Sequence, residues 1–508
     1  MRTRTRALGG ALAVVVGIGV VGLPGATAAP GGVPGPRFTA GAADAGDDYF
    51  PYAGNGGYDV QHYDLDITYT PPVPTDPPTP LNDIRGNLQG AATIDLVATQ
   101  DLDAFNLDLR GMTVSALTVD GRPARGIAPP TAGTEVDGAA YWQVQDDAER
   151  KWELTVQPRP KIKKGDKVRL VVTYGGETVR PRDIGGDLYG WVTQRDGAMV
   201  VSEPEGSMTW YPVSDHPTDK ATYSFEITVP EGKVAVANGL PSRDPLTEDG
   251  WTTWYWDAPD LQASYLTTAS VGDFEVRPVY YSSSGVPILD FVDTKLTTNQ
   301  RTITDASLSW QDDMIDFFES QFGPYPFNSY GAIVDNDTVF YALETQTRPV
   351  YSGQANEGTV AHEAAHMWFG NAVSPHRWQY IWLNEGWAVY ATWMWNDHRG
   401  IRTVQEAFDI WYGPDRTPAY WALPIGDPGN TNLFAGQVYD RGAGTLHALR
   451  GKVGDEAFFE GARLWLQKYN DGTGTTEQFQ EIFEQVSGQD LDEFFYIWLF
   501  RPEKPANW

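Results

Sequence analysis

The chain has 508 residues, of which 41% are hydrophobic and 13% aromatic, and its formal net charge is -30. This length and apolar content allow a large buried core and exclude general disorder, and length alone suggests about two to four domains. The acidic balance argues against nucleic-acid binding, and the lack of cysteine excludes disulfides and thiolate metal ligands.

The first 28 residues have the pattern of a secretory signal peptide. Arg2, Arg4 and Arg6 precede an apolar run over residues 7–23, and residues 26–28 read Ala-Thr-Ala, a small-x-small cleavage site. The alternative is an uncleaved membrane anchor, but glycines interrupt the run, which is marginal for spanning about 30 Å of hydrocarbon. We therefore expect a secreted, extracellular protein with a cleaved leader and no stable membrane partner.

Residues 29–57 are rich in proline, glycine, alanine and aspartate. They show no apolar periodicity, which is typical of a flexible, solvated linker. We therefore expect ordered structure to begin near Tyr58.

Residues 58–275 have the pattern of an N-terminal antiparallel β domain, either a sandwich or a curved sheet. Short segments alternate apolar and polar residues and are separated by turn residues, which is typical of strands with one buried face. The clearest of these segments are YDVQHYDLDITY (58–69), AATIDLVA (91–98), KVRLVVTY (167–174) and ATYSFEITV (221–229).

Residues 276–508 have a different character, in which apolar residues recur three and four positions apart. That spacing is typical of amphipathic helices, and short strand-like runs such as YGAIV at 330–334 lie between them. The helical segments include ASLSWQDDMIDFFESQF (306–322), EAFFEGARLWLQKY (456–469) and TEQFQEIFEQVSG (476–488). We therefore expect a mainly helical α+β domain after the β domain.

The sequence HEAAH at 362–366 has the spacing of a metal site on a helix. Residues four apart on a helix are separated by about 400° of rotation and about 6 Å of rise, so His362 and His366 project from one face. Two neutral imidazoles suit zinc, which at catalytic sites takes three protein ligands and keeps one position open. Glu363 lies about 100° around the helix, where it can reach a water molecule without binding the metal.

A third ligand has to come from another element, and Glu385 is the candidate. Gly370 and Asn371 form a helix stop, and a second helix from about Tyr380 can bring Glu385 back to the metal. Six tryptophans between residues 368 and 395 are expected to pack these helices together and to exclude water. The alternative is an ordinary helix in which both histidines only cap or pack.

These motifs resemble the aminopeptidase N family of zinc metallopeptidases, in which eighteen residues separate the second histidine of HExxH from a glutamate. The similarity also extends through MWFGN (367–371), FGPYPF (322–327), SYLTTASVGDFE (264–275) and YPVSDHPTDKATY (211–223). The resemblance implies one zinc ion per chain. It also implies a β saddle followed by a thermolysin-like catalytic domain.

The resemblance also implies a site for the free amine of a substrate. The family has a Gly-Ala-Met-Glu-Asn signature before the zinc helix, and YALET at 341–345 matches it only partly, keeping Glu344. Glu203, in SEPEGS, matches a β-domain glutamate of bacterial members, although Glu205 is a nearby alternative. Without the family, both glutamates are two among 67 acidic residues and belong by default to the surface.

Tyr439 is the candidate for stabilising the reacting carbonyl oxygen. Family members have a tyrosine before a Lys-Gly pair, and VYDRGA here offers Tyr439 followed by Arg441 and Gly442. The alternative is that Tyr439 is one packed aromatic among 25 tyrosines. Most family members continue into a roofing helical domain, whereas this sequence stops at FRPEKPANW, so we expect a short form with a more open site.

Together these features predict a zinc aminopeptidase that hydrolyses N-terminal residues from peptides with a free N-terminus. In this interpretation Glu363 is the general base and Tyr439 stabilises the oxyanion. One alternative is a thermolysin-like endopeptidase, which needs the same metal site but no anchor for a terminal ammonium. The other alternative is an inactive binding module with the same fold. The sequence does not indicate an oligomeric state.

Overall fold

The computed structural model describes residues 38–131, 133–414 and 416–506. The predicted signal peptide (residues 1–28) and the first part of the predicted linker (residues 29–37) lie outside the described residues. The described chain has a large β-rich first part and a helical second part. The predicted multidomain fold, a β domain followed by a mainly helical α+β domain, is therefore confirmed.

The β-rich part consists of strands because its apolar residues alternate with polar ones, so that one face of each strand is buried. In the strand Tyr58–Thr70 buried residues alternate with exposed or half-exposed ones along most of its length. Its strands are β1 (Thr39–Ala40), β2 (Tyr58–Thr70), β3 (Gly86–Ala98), β4 (Leu102–Asp108), β5 (Thr113–Val119), β6 (Arg122–Gly126), β7 (Ala140–Asp146), β8 (Lys151–Gln157), β9 (Lys167–Thr178), β10 (Gly190–Thr193), β11 (Ala198–Val201), β12 (Ala221–Pro230), β13 (Val234–Ala237), β14 (Leu240–Pro241), β15 (Leu246–Glu248), β16 (Trp251–Gln262) and β17 (Ala269–Gly272).

Most of these strands form one long sheet with the order β1-β4-β8-β7-β6-β5-β9-β3-β2-β12-β16-β14, and β15 pairs with β16. A smaller sheet has the order β10-β11-β17-β13. Pairing in the long sheet is largely antiparallel, as predicted, but β2 runs parallel to β12, β1 to β4 and β6 to β7. The parallel pairs join strands that are far apart in sequence or linked by a long loop, which alternation alone does not reveal.

A third sheet lies at the start of the helical part. Its strands are β18 (Phe274–Val276), β19 (Tyr280–Tyr281), β20 (Pro287–Asp293), β21 (Tyr330–Asp335), β22 (Ala342–Leu343) and β23 (Val350–Ser352), in the order β18-β20-β21-β23-β22 with β19 beside β20. The short strands β24 (Val373–Pro375) and β25 (Gly472–Gly474) pair separately. Strand β18 crosses the expected boundary at residue 275, because Phe274 pairs with Asp293 in this sheet.

The helices follow the predicted spacing of apolar residues. They are α1 (Thr298–Leu308), α2 (Gln311–Phe322), α3 (Glu357–His366), α4 (Trp382–His398), α5 (Val404–Trp411), α6 (Pro418–Trp421), α7 (Gly436–Val453), α8 (Asp455–Tyr469), α9 (Thr476–Ser487) and α10 (Asp492–Phe495), followed by a π-helical turn at Tyr496–Phe500. Thr297, Thr403 and Thr475 cap α1, α5 and α9 through reciprocal side-chain and backbone hydrogen bonds.

Tryptophans fill the space between the helices around α3 and α4, as the sequence predicts. Trp368, Trp378, Trp382, Trp387 and Trp395 are buried, and Trp393 is half-buried. The Trp387 ring stacks on Phe369 with centroids 4.1 Å apart and an interplanar angle of 6°. Such contacts fix the two helices against each other.

The predicted flexible linker is wrong for residues 38–57. Asp47 and Phe50 are 3% and 4% exposed, and the Asp47 carboxylate accepts a hydrogen bond of 2.7 Å from the backbone N–H of Trp378. The Asp108 carboxylate accepts another, of 2.8 Å, from Gly54 N–H. These contacts offset the entropy of ordering a glycine-rich segment, so structure begins well before Tyr58.

Across residues 38–131, 133–414 and 416–506, no helix combines the length and the apolar character that crossing a bilayer requires.

Candidate active site

Helix α3 holds the two histidines in the positions that their spacing predicts. The helix ends at His366, before the expected stop at Gly370, because Asn371 N–H bonds back to His366 O and Gly370 adopts a positive φ of 126°. At its other end, Glu357 accepts hydrogen bonds from Trp395 and Arg399 of α4. Both ends of α3 are therefore fixed.

Glu385, in the first turn of α4, faces the same point as the two histidines. His362 Nε2 lies 3.2 Å from Glu385 Oε2 and 3.1 Å from His366 Nε2. His366 Nε2 is 3.5 Å from the same Glu385 oxygen. Three ligand atoms from two helices thus converge, which is the donor set of a catalytic zinc site.

The hydrogen bonding of His366 fits a metal at this point. Its Nδ1 lies 3.0 Å from the Phe369 carbonyl oxygen, which can only accept a hydrogen bond. In a neutral ring the proton therefore sits on Nδ1, and Nε2 presents its lone pair towards His362 and Glu385. Because the two facing Nε2 atoms are 3.1 Å apart, a cation shared between their lone pairs explains the arrangement.

The surroundings of these ligands stabilise positive charge. Burial by itself would lower the pKa of His366, but the negative charges of Glu344, Glu385 and Glu363 raise it to about 10. Burial opposes ionisation of Glu385, yet the neighbouring imidazoles of His362 and His366 lower its pKa to about 2. The same field that holds a proton on His366 favours a divalent cation.

Glu363 lies beside this point without taking part in the convergence of the three ligand atoms. It is 4% exposed, and its carboxylate, Glu344 and His366 have ligand atoms within 4.8 Å of one another. Burial, together with the charges of Glu344 and Glu385, raises the pKa of Glu363 well above its usual range, although His366 opposes this. A buried carboxyl group with a raised pKa is suited to accept and return a proton.

Glu203 and Glu344 form an acidic pair beside the ligands. Carboxylate oxygens of Glu203, Glu344 and Glu385 lie within 4.8 Å of one another. Burial and the charges of the neighbouring carboxylates raise the pKa of Glu203 well above its usual range. In Glu203 and Glu344 the Oε1 atom is buried without a hydrogen-bond partner. Such orphaned acceptors indicate a cationic or hydrogen-bonding ligand.

The structure separates Glu203 from its alternative, Glu205. Glu205 forms a hydrogen-bonded ion pair with Arg150 from the turn before β8, and its side chain is buried there. Glu203 instead lines the cavity beside the histidines. The two glutamates therefore belong to different environments, although only Pro204 separates them in sequence.

Tyr439 lies in the first turns of α7 and faces the site. Its ring is stacked beside His362, with centroids 6.0 Å apart and an interplanar angle of 20°. Burial, followed by the charges of Glu385, Glu203 and other site carboxylates, raises the pKa of Tyr439 well above its usual range. The phenol therefore keeps its proton at neutral pH and is available as a hydrogen-bond donor.

The predicted residues line one cavity of about 510 Å³. Sequence reasoning missed several other lining residues because they come from loops and helix faces without a motif. These are Asp183, Asp187, Val339, Phe340, Ala342, Gly358, Thr359, Val389, Thr392 and Phe434. Tyr341 also lines the cavity, and its hydroxyl donates a 2.5 Å hydrogen bond to Leu188 O. Its place three residues before Glu344 is the one signal that pointed to it.

A β-rich part, followed by a helical part with this donor set and a neighbouring buried glutamate, is typical of zinc metallopeptidases. Two family models agree with this. Residues 326–498 match the peptidase family M1 domain, and residues 60–266 match the peptidase M1 N-terminal domain. The chain belongs to peptidase family M1.

Curated relatives of the chain include aminopeptidases. An aminopeptidase N from Streptomyces lividans is 26% identical over 317 residues, covering 56% of this chain and 36% of the relative. A human glutamyl aminopeptidase is 25% identical over 332 residues, covering 58% of this chain and 33% of the relative. The match thus spans about a third of the length of these relatives.

Solved structures match over nearly the whole chain. An M1 zinc metallopeptidase from Deinococcus radiodurans has a TM-score of 0.76 and 27% identity, covering 91% of this chain and 99% of that one. A mutant of that peptidase bound to a Tyr-Ser-Ala substrate has a TM-score of 0.77 and 26% identity, with the same coverage. These relatives are zinc metallopeptidases, in agreement with the donor set found here.

Proposed function

We propose that this protein is a zinc-dependent aminopeptidase that removes N-terminal residues from peptides. One observation carries the proposal: the convergent ligands His362, His366 and Glu385 share a cavity with the orphaned carboxylate oxygens of Glu203 and Glu344. The first group suits hydrolysis and the second suits a terminal ammonium. Together they support a cut next to a free N-terminus.

His362, His366 and Glu385 would hold the metal. When bound, zinc acts as a Lewis acid that polarises a carbonyl group and makes water more acidic. The Phe369 carbonyl keeps the His366 ring in the required tautomer. The buried tryptophans around α3 and α4 keep bulk water away from these side chains.

Glu363 and Tyr439 carry the proton and charge movements of the reaction. Glu363 takes a proton from the attacking water and passes it to the leaving amine, which its burial and raised pKa allow. The Tyr439 hydroxyl donates a hydrogen bond to the oxyanion that develops on the substrate. Tyr439 lies beside the His362 ring, on the side of the site where α7 is located.

Glu203 and Glu344 bind the substrate's α-ammonium group. Asn371 supports Glu344 by donating a hydrogen bond of 2.7 Å to its backbone carbonyl. An ammonium group supplies three donors and a positive charge to two buried carboxylates that otherwise repel each other. Binding of this group therefore relieves a repulsion as well as filling empty acceptors.

The experiment that tests the proposal is hydrolysis of a panel of chromogenic aminoacyl amides by the purified, zinc-loaded protein. We expect turnover that disappears on chelation and returns with one equivalent of zinc. Zinc binding without turnover of either these amides or internal peptide bonds supports the inactive binding module instead. Cleavage of blocked peptides alone supports the endopeptidase.

We also propose that the protein is exported, on the basis of the sequence of residues 1–28. Expression in a host that exports the protein should release a chain that begins at Ala29. N-terminal sequencing of the protein from the culture medium measures its first residue. A chain that stays with the membrane fraction and retains Met1 would contradict the cleaved leader.

A further inference from the structure

The segment from Asp47 to Phe50, which we name the N-terminal clasp, touches the start of the helix that bears Glu385. Asp47 accepts the 2.7 Å hydrogen bond from Trp378 N–H, and the Phe50 ring meets the Trp378 ring edge-on with centroids 6.3 Å apart. Trp378 begins the short 3-10 helix that leads into α4. The clasp is thus attached to one side of the metal site.

Tyr49, in the same clasp, is bonded to the loop that leads into α7. Its hydroxyl donates to the Asp427 carboxylate and accepts a hydrogen bond of 2.8 Å from Gly429 N–H. The Asn430 side chain donates to Tyr49 O over 3.3 Å. Tyr49 is itself oriented, because its backbone N–H donates to Asp47 over 2.8 Å.

A series of turns connects this contact to α7. Asn432 N–H bonds to Gly429 O at 3.0 Å, Ala435 N–H to Asn432 O at 3.1 Å, and Val438 N–H to Ala435 O at 2.8 Å. Ala435 is the N-cap of α7 and has no side chain that can cap it. The first turn of α7 therefore depends on the preceding turns, because its free N–H groups gain no side-chain acceptor at the cap.

The turns carry two residues that face the cavity. Phe434 lines the cavity from the loop, and Tyr439 follows one residue after the last of these hydrogen bonds. A shift of Gly429 is therefore transmitted through three successive turns to both side chains. The chain of contacts runs from Tyr49 to the residue proposed to stabilise the oxyanion.

We propose that Tyr49 is a positioning residue for the reaction: the N-terminal clasp holds the loop before α7 so that Tyr439 meets the substrate oxygen. This inference rests on the proposed aminopeptidase function for its kinetic consequences. The structural part of the inference, that the clasp keeps residues 427–438 ordered, does not depend on turnover. Tyr49 touches no substrate and acts through the loop alone.

The first test is Tyr49→Phe in the full-length, zinc-loaded protein, which removes only the hydroxyl group. We expect kcat to fall about tenfold while KM changes less than about twofold, because small misplacements of a group that acts in the transition state lower kcat. Tyr52→Phe is the matched control, two residues beyond the clasp. The Tyr52 ring lies 4.7 Å from the Lys151 ammonium nitrogen, and its variant should keep the wild-type kcat.

A second pair of variants tests the same contact from the loop side. Asp427→Ala removes the acceptor for the Tyr49 hydroxyl and should reproduce the loss in kcat. Asp427→Asn keeps an oxygen acceptor and should restore most of it. Equal kcat values for the two Asp427 variants would contradict a role for this hydrogen bond.

Combining Tyr49→Phe with Tyr439→Phe distinguishes positioning from a general structural effect. If Tyr49 acts through Tyr439, its substitution should cost little once the Tyr439 hydroxyl is gone. A general loosening of the fold gives the same loss in both backgrounds. A loss of kcat that persists in full in the Tyr439→Phe background therefore overturns the proposal.

Amide hydrogen exchange separates failure of this inference from failure of the proposed function. In Tyr49→Phe we expect faster exchange over residues 427–438 and unchanged exchange in α9, whether or not the protein turns over a peptide. An inactive wild-type protein would refute the aminopeptidase function. In that case the exchange rates alone test whether the clasp orders residues 427–438. Unchanged exchange over residues 427–438 would overturn the proposed role of the clasp.

Discussion

Carboxylates that share one cavity have different proposed roles because their neighbours differ. The imidazoles of His362 and His366 lower the pKa of Glu385 and keep it ionised, whereas burial and nearby negative charge raise the pKa of Glu363 and make it a stronger base. Glu203 and Glu344 each keep an oxygen without a hydrogen-bond partner. The surroundings of each glutamate, rather than its residue type, therefore determine whether we propose it as a metal ligand, a base or an ammonium acceptor.

Glu363→Gln tests the assignment of the base. The amide has nearly the same shape as the carboxyl group but cannot accept the proton of water, so turnover should fall by at least about 10³-fold. His362, His366 and Glu385 are unchanged, so zinc content and the far-ultraviolet circular dichroism spectrum should match the wild type. A zinc-loaded Glu363→Gln protein that retains normal turnover would contradict the mechanism.

Tyr439→Phe tests the oxyanion role. Removing one donor to an oxyanion typically lowers turnover by about 10² to 10³, equivalent to roughly 3 to 4 kcal/mol. We expect this loss in kcat with a much smaller change in KM, measured by steady-state kinetics on an aminoacyl amide. An unchanged kcat would mean that Tyr439 is only a packed aromatic residue.

The sequence predicts the metal ligands and the neighbouring base because their positions follow from the geometry of two successive helices. These are α3 and α4, and α4 brings Glu385 back to the histidines. It does not decide between Glu203 and Glu205, because that choice depends on Arg150, which lies more than fifty residues away in the chain. Phe434 was missed for a similar reason, since a loop residue without a motif gives no local signal. Long-range pairing is what the sequence alone cannot supply.

At the scale of elements, the metal site depends on close contact between α4 and α7. The two helices touch at Gly386, next to Glu385, and at Gly442, one turn after Tyr439. A Cβ added at Gly386 would lie 2.9 Å from the Gly442 backbone. Small residues at the crossing therefore set the distance between a metal ligand and the oxyanion donor.

Gly386→Ala should destabilise the protein and lower its activity. The added methyl group meets backbone that cannot rotate away, and such overpacking typically costs about 1–3 kcal/mol. Gly451→Ala, in the partner helix α7, is the matched control, since a Cβ there meets no atom within 4 Å and alanine favours a helix. Thermal melts should show a lower Tm for Gly386→Ala and an equal or higher Tm for Gly451→Ala. Equal melting temperatures for the two variants would refute the close-contact argument.

Among the elements, the alternating strands and amphipathic helices were predictable because their periodicity is visible in residues that are close together in the sequence. The N-terminal clasp was not, because its composition resembles a linker while its partners are remote. Asp47 bonds to Trp378, 331 positions away. A few anchoring side chains in a glycine-rich stretch do not change its average composition, although their contacts help to order it.

At the scale of the whole molecule, metal binding should be coupled to stability. A ligand that binds only the folded state stabilises it by about 2.7 kcal/mol when its free concentration is a hundred times Kd. Chelation should therefore lower Tm, and zinc should restore it. Glu363→Gln should keep this response, whereas His362→Ala should lose most of it. A wild-type Tm that is independent of zinc would contradict the proposed metal centre.

The two parts of the chain also meet in the substrate cavity. Glu203 comes from the β-rich part, whereas Glu344 and the metal ligands come from the helical part. In the proposed function, recognition of the α-amine uses residues of both parts, whereas hydrolysis uses the ligands and Glu363 of the second part. This division makes the requirement for a free amine the central claim about the whole molecule.

The most direct measurement is kcat/KM for one peptide with a free N-terminus and for the same peptide N-acetylated. Acetylation removes the charge that Glu203 and Glu344 are proposed to bind, and charge-assisted hydrogen bonds are worth about 1.5 to 3 kcal/mol each. Losing one or two of them predicts a loss of roughly 10² to 10⁴ in kcat/KM, at about 1.4 kcal/mol per factor of ten. Glu344→Ala should remove most of the difference by slowing the free peptide. Internal cleavage of the acetylated peptide as fast as the free one is trimmed would contradict the aminopeptidase function and support an endopeptidase.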